Sequence, residues 1–433
     1  MDKNDFINRR SFLKLCGAAA LAVTAGCAFP GSPLARQAQD KVRHLTGIAA
    51  SSSEYIRQII TMDSTNSRTI MWQSEKSQPE ARIEYRAPNT PPAAAAASNE
   101  GFSDDGVNCW LHTAQLTGLT ANTAYEYRII NGKEASSWHS LHTADTSNDS
   151  FQALIFPDSQ SNDYSGWKQL AQDAAQRCPD AAFFINMGDL VDNGEDHTQW
   201  DAWFDAVDGI IDRIPAVPLM GNHETYNQQW KVRLPEAYLQ EFSVPDNGSQ
   251  KFKRYYYSFD YGAVHFTVLN TQWDETEDFI PGLLDEQLTW FRQDMAAAQK
   301  KWKVVLLHKD VLQYRIHNRP ERQEGISDVG KAFMPLFDAY GVDLVLSAHL
   351  HTYRNRGHIR SFQHDSQGPL YILTGVAGNV RYPGLWIDHA LDEKTAPQPE
   401  TDNYLTLDAS DDALQITCYL PEGTVIDEAR ITK

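Results

Sequence analysis

Hydrophobic and polar positions follow two different rhythms along the chain. In residues 43–145, short runs rich in β-branched and aromatic residues alternate with clusters of turn-forming residues. Runs of this kind at these intervals predict the strands of an antiparallel sandwich. The predicted strands are residues 56–62, 68–73, 82–85, 110–116, 124–130 and 138–142. Residues 89–99 hold paired prolines and an alanine run, and are predicted to form a surface loop.

Residues 150–433 show a second rhythm, in which short apolar runs alternate with amphipathic stretches. Near-continuous apolar strands separated by helices predict an α/β domain whose strands are buried on both faces. The predicted strands are residues 152–156, 182–187, 216–220, 264–269, 304–307, 343–346 and 370–373. The predicted helices are residues 166–176, 199–213, 284–300 and 329–340. Residues 404–407 and 414–420 are predicted to add strands at one edge of a sheet.

Residues 1–27 have the features of an N-terminal targeting signal. Arg9 and Arg10 precede an apolar run of about 12 residues, which is roughly 18 Å long as a helix and too short to cross a bilayer. This pattern resembles a twin-arginine (Tat) export signal. Residues 24–27 resemble a lipobox ending at Cys27, with plain cleavage nearby as the alternative. We therefore expect an exported, periplasmic protein, anchored as a lipoprotein if Cys27 is lipidated, with residues 28–42 as a linker.

Composition narrows the classes of partner. The chain carries 57 acidic and 38 basic residues, for a net charge of −19, so nothing in it would neutralise a nucleic-acid backbone. A bound cation could still hold a small phosphorylated substrate locally, and such a substrate is the expected partner. Cysteines are too few for a disulfide scaffold. The three that follow Cys27, which are Cys109, Cys178 and Cys418, are predicted to be buried free thiols.

Residues with metal-ligand chemistry follow five of the predicted strands. They are Asp158 and Gln160, then Asp189, then Asn222 and His223, then His308, and finally His349 and His351. Ligand sites in open α/β sheets form at the carboxyl ends of the strands, so these side chains are expected at one rim. Carboxylate and amide oxygens together with imidazole nitrogens suit Zn, Mn or Fe. One carboxylate such as Asp189 can bridge two ions.

These motifs resemble those of the calcineurin-like metallophosphoesterase superfamily, and most closely those of purple acid phosphatases with an N-terminal fibronectin type III-like domain. The resemblance covers residues 45–430 and includes residues 255–270, 342–353 and 369–375. Residues 116–129 resemble the tyrosine-corner strand of the fibronectin-like sandwich, with Trp72 as its core tryptophan. The implied fold is an N-terminal all-β sandwich followed by an α/β metallophosphoesterase domain with layers in the order α/β/β/α.

The resemblance also implies roles for the strand-end residues. Asp158, Asp189 and His351 would hold the first of two metal ions, which are divalent or trivalent Fe, Zn or Mn. Asp189 would bridge to a second ion. The ligands of that second ion would be Asn222, His308 and His349. His223 would act on the phosphate or protonate the leaving oxygen, and His317, in a loop after His308, would face the substrate.

Three positions depart from the family pattern. Gln160 stands where the family has a histidine, so it offers only a neutral amide oxygen to the first metal. Asp192 stands where purple acid phosphatases have a tyrosinate ligand, so we predict a protein without the purple charge-transfer band. Ala348 replaces a glycine before His349. Loss of the first metal site is the alternative that these changes leave open.

The expected function is hydrolysis of phosphate monoesters by attack of a metal-bound hydroxide. One alternative is a phosphodiesterase or nucleotide pyrophosphatase built on the same metal core. An alternative of a different class is a catalytically silent lipoprotein that binds phosphorylated or cell-wall ligands, which only Gln160 favours. Oligomeric state, metal identity and pH optimum do not follow from the sequence.

Overall fold

The structure is a computed structural model that describes residues 53–146, 149–396 and 402–433. The predicted export signal, Cys27 and the linker lie outside the described residues. In the part of the chain that is described, no helix is long and apolar enough to cross a membrane. Cys109, Cys178 and Cys418 are free thiols, as predicted, but only Cys418 of the three is buried, and Cys109 and Cys178 are partly exposed.

The N-terminal region is all β, and each of its six predicted runs contains a strand. The strands are β1 (Glu54–Ile59), β2 (Arg68–Ser74), β3 (Arg82–Arg86), β4 (Ala93–Ala96), β5 (Ser98–Asp104), β6 (Val107–Leu116), β7 (Ala124–Asn131), β8 (Glu134–Ala135) and β9 (His139–His142). Trp72 is fully buried in the small core between its two sheets, as expected. The hydroxyl of Tyr125 accepts the backbone N–H of Thr120 at 2.9 Å, which is the hydrogen bond of a tyrosine corner.

The predicted loop over residues 89–99 is wrong in its second half. There β4 forms and pairs antiparallel with β3, with Tyr85 opposite Ala93. The paired prolines end before β4 begins, so they remove no backbone donor from the ladder. The free edge of β3 supplies backbone partners, and these outweigh the weak strand preference of alanine.

Among the described residues, the C-terminal region contains two large packed sheets, two separate two-stranded sheets and six helices. Its strands are β10 (Phe151–Phe156), β11 (Phe183–Asn186), β12 (Ala216–Pro218), β13 (Tyr257–Tyr261), β14 (Val264–Val268), β15 (Trp302–Leu306), β16 (Leu312–Gln313), β17 (Arg315–Ile316), β18 (Gly325–Ile326), β19 (Leu344–Ser347), β20 (Tyr353–Arg360), β21 (Gln363–His364), β22 (Leu370–Thr374), β23 (Trp386–Ile387), β24 (Lys394–Thr395), β25 (Tyr404–Ala409), β26 (Ala413–Tyr419) and β27 (Val425–Thr432). Its helices are α1 (Ser165–Arg177), α2 (His197–Ala206), α3 (Glu236–Glu241), α4 (Trp273–Thr276), α5 (Leu283–Ala297) and α6 (Asp328–Tyr340), with a 3₁₀ turn over His223–Thr225.

The layers stack in the predicted order α/β/β/α. One sheet runs β27-β26-β25-β10-β11-β12-β1-β2-β6-β5, and the other runs β13-β14-β15-β19-β22-β20-β21, with β24 beside β20. Phe183 of the first sheet meets Phe266 of the second with ring centroids 5.7 Å apart, so the sheets pack face to face. Trp167 of α1 covers Phe156 on one outer face. Helices α5 and α6 pack together on the other side, where Phe291 contacts α6 aromatics.

Helix ends follow local signals that the sequence analysis read only in part. The helix predicted over residues 199–213 ends at Ala206, because the chain turns at Gly209, whose φ is 76°. The hydroxyl of Ser327 accepts the N–H of Gly330 and begins α6, and Gly341 ends it in a left-handed conformation. Two edge strands were predicted at the C-terminus, and β27 is a third that the sequence analysis missed.

The two regions share one sheet. Strand β1 pairs parallel with β12, with Ile59 opposite Ala216, so the sheet of the C-terminal region continues into the N-terminal sandwich. A buried ion pair reinforces this junction: the guanidinium of Arg57 lies 2.6 Å from the carboxylate of Glu241. Gln73 donates to the same carboxylate at 2.7 Å. The junction is therefore part of the folded core.

Glu241→Gln is expected to lower the free energy of unfolding by about 3–5 kcal/mol, because it leaves the buried Arg57 guanidinium without a counter-charge. Urea denaturation of the whole chain measures the loss. The matched control is Glu126→Gln, whose ion pair with Arg86 has a similar 2.7 Å separation but is solvent-exposed. The Glu126→Gln substitution should lower the free energy of unfolding by less than about 1 kcal/mol. Equal losses in the two variants would contradict a special role for the buried pair.

Candidate metal centre

Loops from the two packed sheets of the C-terminal region meet at one end of these sheets. Asp158, Asp189 and Asn222 follow β10, β11 and β12 of the first sheet. His308 and the His349–His351 loop follow β15 and β19 of the second sheet. Because these five strands run parallel within their sheets, their carboxyl ends share one rim. The structure thus brings together the side chains that the sequence analysis proposed as ligands.

Two groups of ligand atoms form there and have one member in common. Asp189, His308 and His349 make one group, and Asp158, Asp189 and His351 make the other, with the ligand atoms of each group within 4.8 Å of one another. Asp189 Oδ2 lies 3.1 Å from His308 Nε2, and Asp158 Oδ2 lies 3.2 Å from His351 Nε2. A carboxylate shared in this way suits a bridging ligand between two cations.

Backbone carbonyls fix the orientation of two of the imidazoles. His308 Nδ1 lies 3.0 Å from the carbonyl of Met187, and His351 Nδ1 lies 2.9 Å from that of Val380. A carbonyl only accepts, so each Nδ1 carries the proton and donates. Nε2 of each ring is therefore the nitrogen that faces the carboxylates, and it can bind a metal once it is deprotonated.

The backbone at the centre is strained. Asp189, His349 and His351 have φ values of 47°, 77° and 53°, in the left-handed region that non-glycine residues rarely occupy. Gly221 allows this geometry, because a Cβ there would collide with the Asp189 carboxylate. Strain at three candidate ligands shows that the surrounding fold holds them in place.

Glu224 is a positioning residue to which the sequence analysis gave no role. Its buried carboxylate accepts the N–H groups of Gly221 at 2.6 Å, Leu190 at 2.8 Å and Asp189 at 3.1 Å. It therefore joins the loop that carries Asp189 to the loop that carries Asn222. Its signal in the sequence was its position directly after Asn222 and His223, in a turn where a carboxylate can satisfy several backbone donors.

The remaining donors fit a cation. Asn222 Oδ1 lies 3.2 Å from His308 Nε2, beside the first group of ligands. Gln160 is fully buried, its Nε2 lies 3.0 Å from His351 Nε2, and its Oε1 has no hydrogen-bond partner among the described residues. The two ends of an amide differ only in the assignment of O and N. Exchanging them would turn the unpartnered oxygen toward His351 Nε2, so the cluster offers a mixed O/N donor set suited to Zn, Mn or Fe.

His223 stands beside the carboxylates with a fixed tautomer. Its Nδ1 lies 2.6 Å from the carbonyl of Asp192 and must donate to it, and its backbone N–H donates to Asp189 Oδ1 at 2.8 Å. Its Nε2 is 4.0 Å from Asp189 Oδ2 and is the nitrogen free to exchange a proton. The Asp192 carboxylate lies 3.6 Å from His223 Nδ1 and belongs to neither ligand group. The backbone carbonyl of Asp192 therefore fixes the orientation of the His223 ring.

His317 is not brought to the cluster by any contact in the described part of the chain. It is exposed in the turn after β17, and its backbone N–H donates to Leu385 at 3.0 Å. Strand β17 pairs with β23, and Trp386 of β23 donates to the carbonyl of Leu350 at 2.8 Å, within the His349–His351 loop. His317 thus lies in a turn beside the β17–β23 pair, which is tied to the site, and its substrate-facing role stays a prediction.

Three aromatic residues at the rim escaped the sequence analysis. Tyr226 and Trp230 contact His223, with ring centroids 5.6 and 5.8 Å away, and Tyr382 contacts His351 at 4.9 Å. Single aromatic residues in loops carry no periodic signal, so only the folded chain places them at the centre.

Charge within the cluster controls its affinity for protons. Burial alone would lower the pKa of His308, but the negative charges of Asp189 and Asp158 outweigh burial and raise it to about 9. Burial and the neighbouring His308 hold the pKa of His349 well below its usual value. Without metal, a proton therefore resides on His308, between carboxylates that would otherwise repel one another.

The affinity for Zn²⁺ is expected to rise by up to about tenfold per pH unit between pH 6 and 8, because the metal must displace the His308 proton. The sign follows from the raised pKa of His308: the proton competes at every pH below about 9. A chelator competition series measures the slope. In the control variant His265→Gln, a remote histidine whose pKa is also raised to about 9 is removed, and the slope should persist. A pH-independent affinity would contradict this account.

Two family models match this chain. The model of the calcineurin-like phosphoesterase family matches residues 139–353, and that of the purple acid phosphatase N-terminal domain matches residues 54–143. Purple acid phosphatase 15 of Arabidopsis thaliana is 29% identical over 209 residues, which are 47% of this chain and 36% of that protein. The chain therefore matches only about a third of that relative's length.

Two solved structures share the fold. Purple acid phosphatase PPD1 from yellow lupin (Lupinus luteus) seeds superposes with a TM-score of 0.71 at 17% identity, covering 88% of this chain and 74% of that one. PhoD superposes with a TM-score of 0.60 at 12% identity, covering 89% and 90%. At these identities the likeness establishes the fold alone. The chain thus combines a purple acid phosphatase N-terminal domain with a calcineurin-like metallophosphoesterase domain, and its homologues are purple acid phosphatases.

Proposed function

We propose that the protein is an exported phosphatase that hydrolyses small phosphate monoesters at a centre of two metal ions. The observation that carries the proposal is the pair of ligand groups that share the Asp189 carboxylate. Two cations held there would suit in-line displacement at phosphorus. Asp158, Gln160 and His351 would complete one site, and Asn222, His308 and His349 the other.

Two metal ions bound there would supply Lewis acidity to the phosphate oxygens and lower the pKa of the attacking water. The chain's own contribution lies in His223. Its Nδ1–H is held by the Asp192 carbonyl, so Nε2 is the nitrogen that delivers a proton to the leaving oxygen. The bond from its backbone N–H to Asp189 fixes the imidazole relative to the ligand groups.

The sequence also supports a cellular location and a class of substrate for the protein. The paired arginines and Cys27 support Tat export to the periplasm, with a lipid anchor at Cys27. The net charge of −19 supports small phosphorylated substrates rather than nucleic-acid polymers. Fractionation of cells that express wild-type and Cys27→Ser chains tests this part. Release of the variant from the membrane is expected, and wild-type protein in the cytoplasm would refute export.

His223→Ala is expected to lower kcat on phenyl phosphate, whose leaving phenolate needs a proton, by about 10²–10⁴-fold, because it removes the proton donor and leaves every proposed ligand in place. Elemental analysis should still find two metals per chain. The control is His364→Ala, an exposed histidine on β21, which should leave both quantities unchanged. His317→Ala in the same assay tests its predicted role.

Three outcomes would contradict the proposal. Preference for bis(para-nitrophenyl) phosphate over the monoester would favour the phosphodiesterase alternative. Full metal loading without turnover of either ester would favour a silent binding protein. One metal or none per chain would mean that the first site, with Gln160 and Asp192 in place of the family's residues, does not bind its metal.

A further inference from the structure

An exposed tryptophan stands against the proposed proton donor. The ring of Trp230 meets that of His223 edge to face, with centroids 5.8 Å apart and an angle of 87°, and also contacts Tyr226 at 6.1 Å. Even so, 57% of Trp230 stays open to solvent. An indole left in water forfeits the free energy that its burial would provide. The ring therefore lies beside the proposed proton donor with more than half of its surface available to a ligand.

The loop that carries Trp230 is built to hold it. Trp230 itself has a φ of 59°, a left-handed conformation that is unfavourable for a bulky residue. The backbone N–H of Trp230 donates to the carbonyl of Asn227 at 2.8 Å. The Asn227 side chain accepts the N–H groups of Gln229 at 3.0 Å and Lys231 at 2.8 Å. The ring is thus presented by a tight turn with its own internal bonds.

The N-terminal sandwich braces this loop from outside. Arg233, just after the turn, donates to Asp104 of strand β5 at 2.9 and 3.1 Å and lies 3.3 Å from Glu195. The N–H of Glu195 donates to the carbonyl of Tyr226, and its carboxylate accepts the N–H of Gln228 at 2.9 Å. Bonds at both ends of the loop therefore fix the indole relative to His223.

The position of Trp230 identifies which part of a substrate it would meet. The proposed donor His223 protonates the leaving oxygen, so the alcohol part of the ester must lie on the His223 side of the phosphorus. An indole in contact with His223 then borders the alcohol part and not the phosphate. Flat rings stack on an indole face with a free energy that aliphatic groups do not match.

We propose that Trp230 is a specificity-determining residue that stacks on a flat ring in the alcohol part of the substrate, so that the protein prefers phosphate monoesters of aromatic or nucleoside alcohols. The inference rests on the proposed phosphatase function and specifies its substrate class. A π-face is shared by aryl groups and nucleobases, and the two sources are separated by the choice of substrates.

Two matched pairs of substrates isolate the ring. Adenosine 5′-phosphate and ribose 5-phosphate release the same kind of primary alkoxide, with and without a base. Benzyl phosphate and cyclohexylmethyl phosphate likewise differ only in whether the ring is flat. The ratio of kcat/KM within each pair cancels intrinsic reactivity and metal content. We expect wild-type ratios above about tenfold for at least one pair, and the pair that shows it identifies the source of the ring.

Trp230→Gly removes the indole and keeps a residue that tolerates the left-handed backbone. It is expected to bring that ratio close to one, and Trp230→Phe should restore most of it. The control is Phe362→Ala, another exposed aromatic residue at positive φ, in the turn between β20 and β21, and it should leave the ratios at the wild-type value. Metal content and melting temperature verify that each variant is folded.

Failure of the inference and failure of the function look different. Wild-type ratios near one in both pairs, or a ratio that Trp230→Gly leaves unchanged, would overturn the role of Trp230 while the phosphatase function stands. Absence of turnover of all four esters and of para-nitrophenyl phosphate by the metal-loaded wild type would overturn the function itself.

Discussion

The Asp189 carboxylate must satisfy ligand groups from two different sheets at once, and the geometry of the site follows from that requirement. It belongs to the first sheet, yet it lies 3.1 Å from His308 of the second. The separation of the two sheets, fixed by aromatic contacts such as Phe183 with Phe266, therefore sets the distance between the candidate ligands. Glu224 clamps the Asp189 loop to the Asn222 loop, and the left-handed backbone at Asp189 is the strain that this arrangement maintains.

The N-terminal sandwich takes part in this arrangement. Through β1 it extends the sheet that carries Asp158, Asp189 and Asn222, and the buried pair of Arg57 with Glu241 makes the junction costly to open. Its β5–β6 hairpin reaches the rim, where Asp104 binds the arginine that follows the Trp230 loop. A domain that shows no chemistry in its sequence thus supports one wall of the site.

Much of the fold was predictable because its signals are local. Strands such as β10 and β19 are apolar on both faces, and the residue after each strand end is fixed by the chain itself. The strand Ala93–Ala96 was not predicted, because alanine has little preference for a strand. Only pairing with the open edge of β3 makes this segment a strand. The helix that stops at Ala206 was overestimated, since Gly209 was read as part of the amphipathic pattern and not as a turn.

By itself, the sequence determined the order of the elements, the strand ends that carry carboxylate, amide and imidazole groups, and the family pattern with its departures at Gln160 and Asp192. Tertiary structure decided which of these side chains meet. The sharing of Asp189, the tautomer of His223 imposed by the Asp192 carbonyl and the approach of Trp230 to His223 all depend on contacts between distant segments. Hydrophobic periodicity records how each segment is buried, but not which segment lies opposite, because apolar burial is non-directional.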